Sequence, residues 1–377
     1  MPRVRVLVVD DSVTVRRLLV DALSVEPDLE VVGTAANGVL ALEQLERLHP
    51  DLIVLDLDMP VMDGHEFLTR MRRRWPRLPV IVFSSFTAHG AEATLQALWN
   101  GASDYVMKPK TPDVGSALRH TRAELLPRIR AFARPGSGAA QARQASSTTV
   151  PAKPGPARTT HAPEPAPPEA RPSGERRPGA PRASVIAIGA STGGPRALAE
   201  VVGVLPADVA APILIVQHMP AMFTRLLADG LSAHCEMPVR EAEHGMPLEA
   251  GTVWVAPGDH HLTVGRDGAL PRLWLDREPQ ENGCRPSVNP LFRSVAEAFG
   301  SGALAIVLTG MGQDGLDGAR SVRAHGGQVL VQDEATSVVW GMPGVVARAG
   351  LADAVLPLEE IGPEILARVR RAGRRAA

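Results

Sequence analysis

Between about Pro135 and Arg182 the chain is rich in Pro, Ala, Arg, Ser and Thr and has no apolar periodicity. Such a stretch cannot bury enough surface to offset the entropy of ordering it, so it reads as a disordered linker. Whatever folds must fold on either side. The 377 residues therefore divide into a front domain over 1–132, a linker over 133–182 and a back domain over 183–377.

Composition narrows the function classes. An apolar fraction of 45% is ordinary for globular domains, and a net charge of -1 gives no steering toward nucleic acid or anionic lipid. No apolar run approaches the ~20 residues that cross a bilayer, and Met1-Pro2-Arg3-Val4 runs into a charged strand rather than a secretory signal. The two cysteines, Cys235 and Cys284, have neither metal nor redox spacing, which predicts packing roles and a reduced, cytoplasmic setting. The basic stretch Arg368 to Arg375 reads as a solvated helix face. A monomer without nucleic-acid partner or membrane insertion is expected.

In the front domain, strands are predicted at Val4 to Val9, Glu30 to Ala35, Leu52 to Leu55, Val80 to Phe83 and Asp104 to Val106. Helices alternate with them at Val13 to Ser24, Gly38 to Leu48, Gly64 to Arg74, Ala91 to Trp99 and from Val114. That order predicts an α/β domain with a five-stranded doubly wound sheet. Asp10-Asp11 and Asp56 end the first and third strands, Ser84 the fourth and Lys108-Pro109 the fifth. Three carboxylates at one sheet edge repel one another unless a hard cation sits among them, and Mg²⁺ prefers such oxygen ligands and bridges to phosphate. A lysine and a hydroxyl complete a phosphoryl pocket.

The segments Val8-Val9-Asp10-Asp11-Ser12 and Leu55-Asp56-Leu57-Asp58-Met59-Pro60-Val61-Met62-Asp63-Gly64, with Ser84 and Lys108-Pro109, resemble the receiver domain of two-component response regulators. The resemblance implies that Asp56 accepts a phosphoryl group from a histidine kinase. It also implies that Asp10, Asp11, Asp56 and the backbone of Asp58 hold Mg²⁺, that Ser84 and Lys108 contact the phosphate, and that Tyr105 is a switch aromatic.

In the back domain, Ser184 to Ile188, Pro212 to Val216 and Ala303 to Leu308 are short, apolar without alternation and separated by helix-like stretches, as buried parallel strands are. Their carboxyl ends share one edge, where open α/β sheets bind ligands. There stand Ser191 in a Gly-x-Ser-x-Gly turn, His218 directly after its strand, and Asp314 in Gly310-Met311-Gly312-Gln313-Asp314-Gly315. A strand-to-helix turn of this kind exposes a serine and aims amides at its reaction centre, with a histidine as base and an aspartate to orient it. The order Ser, His, Asp differs from the Ser, acid, His order of α/β-hydrolases.

These segments, their order and the pairing with a receiver and a linker resemble the catalytic domain of chemotaxis protein-glutamate methylesterases. The resemblance implies Ser191 as nucleophile, His218 as general base, Asp314 as orienter, and Thr192 and Met311 flanking the reacting carbonyl, with no cofactor in the esterase site. The implied substrates are glutamate methyl esters on chemoreceptor cytoplasmic domains, with glutamine deamidation as a second activity and phosphorylation of Asp56 as activator through relief of occlusion. Arg285-Pro286-Ser287-Val288 and the helix after it resemble the family's substrate-side segment. Asn289-Pro290 departs from it, because the family usually has a carboxylate after the valine.

Two other readings compete. Gly310 to Gly315 with Asp333 also matches a dinucleotide fingerprint, but that fingerprint usually sits on a domain's first strand. A phosphorylation-dependent adaptor without catalysis would not need Ser191, His218 and Asp314 together. The adjacent His260-His261 lack metal-site spacing. Thr252 to Leu275 alternates apolar and polar residues and is predicted to form a β-hairpin insertion, with Trp254 and Trp274 as core or hairpin-face residues.

Overall fold

The computed structural model describes residues 3–111, 113–132, 182–268 and 270–369. All of the predicted linker except Arg182 lies outside these residues, as does the basic stretch beyond Val369.

The front domain runs β1 (Val4–Val9), α1 (Val13–Ser24), β2 (Leu29–Ala35), α2 (Gly38–Leu48), β3 (Leu52–Leu55), α3 (Gly64–Arg72), β4 (Val80–Ser84), α4 (Ala88–Trp99), β5 (Asp104–Met107) and α5 (Val114–Phe132). The strands pair in parallel in the order β2-β1-β3-β4-β5, so β5 is an edge strand. β3 and β4 are buried along their whole length, as covered parallel strands must be. Ser12, Asn37, Asp63 and Thr87 each accept a hydrogen bond from the amide three residues on, which starts α1 to α4. That cap explains why α4 begins at Ala88, three residues before the predicted Ala91.

The back domain runs β6 (Val185–Ala190), α6 (Gly194–Gly203), β7 (Ile213–Gln217), α7 (Ala221–Ser232), β8 (Val239–Glu241), β9 (Val253–Val255), β10 (His261–Asp267), β11 (Leu270–Asp276), α8 (Val288–Phe299), β12 (Ala303–Val307), α9 (Leu316–Ala324), β13 (Gln328–Gln332), α10 (Met342–Arg348), β14 (Ala354–Leu356) and α11 (Leu358–Arg368). Seven strands form one parallel sheet in the order β14-β13-β12-β6-β7-β9-β8. The serine strand β6 is thus flanked by the aspartate strand β12 and the histidine strand β7.

Two expectations are corrected. The predicted hairpin over Thr252 to Leu275 splits: Val253–Val255 joins the main sheet beside β7, burying Trp254, and only β10 and β11 pair antiparallel. Arg368 is not on a solvated face; it is buried, bonded to Glu364 and to Gln328 Oε1 at 2.7 Å.

The two domains are packed together. Tyr105 of β5 lies 4.8 Å, centroid to centroid, from Phe223 of α7, and Trp99 at the end of α4 stacks on His234 at 5.6 Å. Gly230 admits the indole: a Cβ there would stand 3.1 Å from it. One hydrophobic cluster runs from Leu7 and Phe67 in the front sheet to Ile186 and Phe223 in the back one.

Candidate active site

The front site gathers as its strand ends require. Carboxylate oxygens of Asp10, Asp11 and Asp56 lie within 4.8 Å of one another. Lys108 Nζ stands 3.0 Å from Asp10 Oδ2 and 2.9 Å from Asp56 Oδ2. Burial pushes the Asp56 carboxyl up to about 6, with Lys108 opposing and Asp10 adding to the rise. Burial disfavours the Lys108 ammonium, but Asp56 and Asp10 outweigh it and hold its pKa above the ordinary range. Three clustered carboxylates against one ammonium suit a hard divalent cation. Asp58 is exposed beside this cluster. Ser84 Oγ turns to Gly90 O at 3.2 Å and accepts from Thr94 Oγ1 at 2.5 Å.

The back site lies on the carboxyl edge of the seven-stranded sheet. Ser191 follows β6, and Gly193, with φ 78°, turns the chain into α6. Thr309 fastens that turn: its carbonyl accepts from Ser191 N at 3.0 Å and its Oγ1 donates to Thr192 O at 2.9 Å. His218 follows β7, and its Nε2 is 2.8 Å from Asp314 Oδ2. Asp314 also accepts from Val288 N at 2.7 Å, Ser287 Oγ at 2.8 Å and Gly315 N at 2.9 Å. Burial would raise its carboxyl, but the His218 bond and these donors hold it below the usual carboxylate range. Burial likewise disfavours the His218 imidazolium, yet hydrogen bonds and charge from Asp314 and Cys284 outweigh it and lift the group to about 9.

Ser191, Thr192, His218 and Met311 share a cavity of about 900 Å³ with Cys284 and Arg285. Its other wall is the front domain, including Asp104, Tyr105, Lys108 and Arg128. Thr192 Oγ1 donates to Asp104 Oδ2 at 2.7 Å, a buried bond between domains, and Arg128 Nε stands 3.4 Å from the same oxygen. Burial raises the Asp104 carboxyl, with Arg128 and Thr192 opposing.

Residues 6–118 match the response regulator receiver domain family and residues 186–365 the CheB methylesterase family. A protein-glutamate methylesterase/protein-glutamine glutaminase of Nocardioides sp. is 49% identical over 98% of this chain and 97% of its own. One of the same description from Trichodesmium erythraeum is 44% identical over 98% of this chain and all (100%) of its own. The chain belongs to this family. The crystal structure of the CheB methylesterase catalytic domain of Thermotoga maritima is 41% identical, covers 49% of this chain and 98% of its own, and has a TM-score of 0.49.

Several participants escape a sequence reading. Cys284, assigned to packing, has its Sγ 3.6 Å from His218 Nδ1; nothing in their separation of 66 positions along the chain foretells it. Cys235 is half-buried, its Sγ donating to Val202 O at 3.5 Å. Gln217 Nε2 donates to Ser191 O at 2.9 Å, and a polar residue closing an apolar strand was a usable signal. Asn289 does not reach the cavity wall: it is buried, and its Oδ1 accepts from Gly315 N at 3.1 Å and Gly318 N at 2.9 Å, capping α9. His260 and His261 bond separately, to Gly258 O at 3.2 Å and Pro279 O at 3.1 Å. Asp333, the carboxylate of the dinucleotide reading, is engaged by Thr336 N at 2.9 Å.

Proposed function

We propose that the chain hydrolyses glutamate methyl esters on chemoreceptor cytoplasmic domains, and that phosphorylation of Asp56 switches this activity on. The observation that carries the reading is the meeting of Ser191 and His218 in one cavity at the sheet edge, with buried Asp314 bonded to His218 at 2.8 Å. With Asp314 on Nε2, the other imidazole nitrogen, Nδ1, is the one left to take the Ser191 proton as Oγ attacks the ester carbonyl. Asp314 fixes the tautomer and stabilises the imidazolium. Backbone donors beside Thr192 and Met311 would meet the oxyanion as it forms. The imidazolium then protonates departing methanol, and the same nitrogen activates the water that hydrolyses the acyl-enzyme. A glutamine side chain offers the same carbonyl with a poorer leaving group, and the names of the relatives support deamidation as a slower second activity.

In the receiver, Asp10, Asp11 and Asp56, with the backbone of Asp58, would hold Mg²⁺, which when bound neutralises charge on the transferred phosphoryl group. Lys108 lies against Asp56 to pair with the new phosphate, and Ser84 has only to turn from Gly90 and Thr94 to reach it. The donor is a histidine kinase and the enzyme a cytoplasmic monomer. Asp104 bonded to Thr192, with Tyr105 lining the same cavity, supports a closed, unphosphorylated state that shuts the substrate out. A catalytically silent adaptor is not favoured, since it would need neither the bond between His218 and Asp314 nor the donors converging on Asp314.

Methanol release from methylated receptor fragments tests the reading. Release should require Ser191, vanish in Ser191→Ala, and rise with a small-molecule phosphodonor in wild type but not in Asp56→Asn. Undiminished release by Ser191→Ala would overturn the assignment of the nucleophile.

A further inference from the structure

Cys284 is held in place by a local device. Asn282 and Gly283, with φ of 52° and 75°, are both left-handed, and Cys284 N donates to Glu281 O at 2.9 Å while Glu281 N donates back at 3.2 Å. That is the geometry of a two-residue primed turn, for which Asn-Gly is the preferred pair. The turn is tied down on both sides. Glu281 pairs with Arg293, and Arg285 donates to Asp259 Oδ1 at 2.6 Å and to Glu278 O at 3.1 Å. Asn282 Nδ2 points at Asp314 Oδ1, 3.3 Å away, and Cys284 Sγ at His218 Nδ1. One rigid turn therefore addresses both partners of the catalytic pair.

Thiol, imidazole and carboxylate form a continuous chain, Sγ to Nδ1 at 3.6 Å and Nε2 to Oδ2 at 2.8 Å. Nδ1 is also the nitrogen that must receive the Ser191 proton. We propose that Cys284 is a second proton partner of His218, which competes with Ser191 for Nδ1 and so sets the pH range over which the serine can be activated. The inference rests on the assignment of Ser191, His218 and Asp314 given above. In the competing state the thiol proton sits on Nδ1, the sulfur is a thiolate, and the imidazolium cannot act as a base. The serine can be activated only when Nδ1 is free of that proton, whether it has gone back to sulfur or out to solvent.

Asp314 and Cys284 are the titratable groups bonded to the imidazole. Asp104, Lys108, His120, Glu124 and Arg128 from the receiver, and Arg285 from the turn itself, line the same cavity. Opening the domain interface withdraws the receiver groups and leaves Cys284 and Asp314 in place, so the effect should persist in the activated enzyme.

The experiment is a pH profile of kcat/KM for methanol release by full-length protein with a phosphodonor, comparing wild type with Cys284→Ala and Cys284→Ser. Neutral His218 is the active form, so the wild-type rate should climb with pH up to about 9. Loss of the ionisable sulfur should move that limb down by about one pH unit and raise the rate at pH 7 roughly tenfold. Cys284→Ser keeps a hydroxyl at the position and should follow Cys284→Ala, because the hydroxyl does not ionise in this range. Coincident limbs in all three proteins would overturn the proposal.

A second readout does not depend on turnover. In a Cys235→Ser background, iodoacetamide alkylates Cys284, the thiolate forming the S–C bond as iodide leaves. His218→Gln should slow this at pH 7 by roughly tenfold, because the imidazole no longer takes the thiol proton. Equal alkylation rates would also overturn the proposal. Turnover by Ser191→Ala would instead condemn the nucleophile assignment, which the alkylation rate does not test.

Discussion

At the scale of single residues, Asn289 shows how a site-side residue can be structural. Its Oδ1 satisfies two amides at the start of α9, the helix entered directly after Asp314. Asn289→Ala should cost about 1–3 kcal/mol in a denaturant titration, the penalty for leaving the buried Gly318 donor unpaired while Gly315 keeps Asp314, with KM for the receptor unchanged. A raised KM without lost stability would return Asn289 to the substrate side. The contrast with Ser191, His218 and Asp314 is instructive. Those three were legible because each closes or follows a buried apolar strand, where a polar residue needs a reason. Asn289 and Cys284 were not legible, because each acts on a group many residues away through a turn or helix start whose position only the fold sets. Pro290 needed no special reading, since the third position of a helix has no intrahelical use for an amide.

At the scale of elements, the turn from β6 into α6 carries the tightest constraint. Gly193 has φ 78°, and a Cβ there would stand 2.6 Å from Val338 Cγ2. Gly193→Ala should therefore destabilise the protein by about 1–2 kcal/mol from the left-handed backbone alone, plus the cost of displacing Val338. It should also lower turnover, by moving Thr192 and the α6 amides, and a variant with wild-type melting and turnover would contradict this. Parallel strands were the easiest elements to read, being apolar without alternation. The three residues of β9 were misread because a short strand inside an alternating stretch gives no signal of which sheet it joins. Its pairing with β7 is decided by Trp254 finding the buried face.

At the scale of the whole molecule, the sequence separated two domains and its resemblance implied that one occludes the other, but it located none of the contacts. That depends on Trp99 against His234, Tyr105 against Phe223, and Asp104 on Thr192, none of which has a local pattern. Removing one of these contacts should favour the open arrangement. Trp99→Ala or Asp104→Ala should raise methanol release by unphosphorylated protein roughly tenfold, equivalent to about 1.4 kcal/mol of lost closure, and shrink the stimulation by phosphodonor correspondingly. Basal release equal to wild type in both would exclude this interface as the brake.

The edge position of β5 adds a different consequence. Asp104 and Tyr105 are consecutive, so their side chains leave opposite faces of the strand, yet both reach the neighbouring domain. The esterase domain thus meets side chains from both faces of the receiver sheet at that rim. The proposed opening would bare both side chains to water, the Tyr105 ring with them. That open form would expose more apolar surface than the closed one and so be the less soluble of the two.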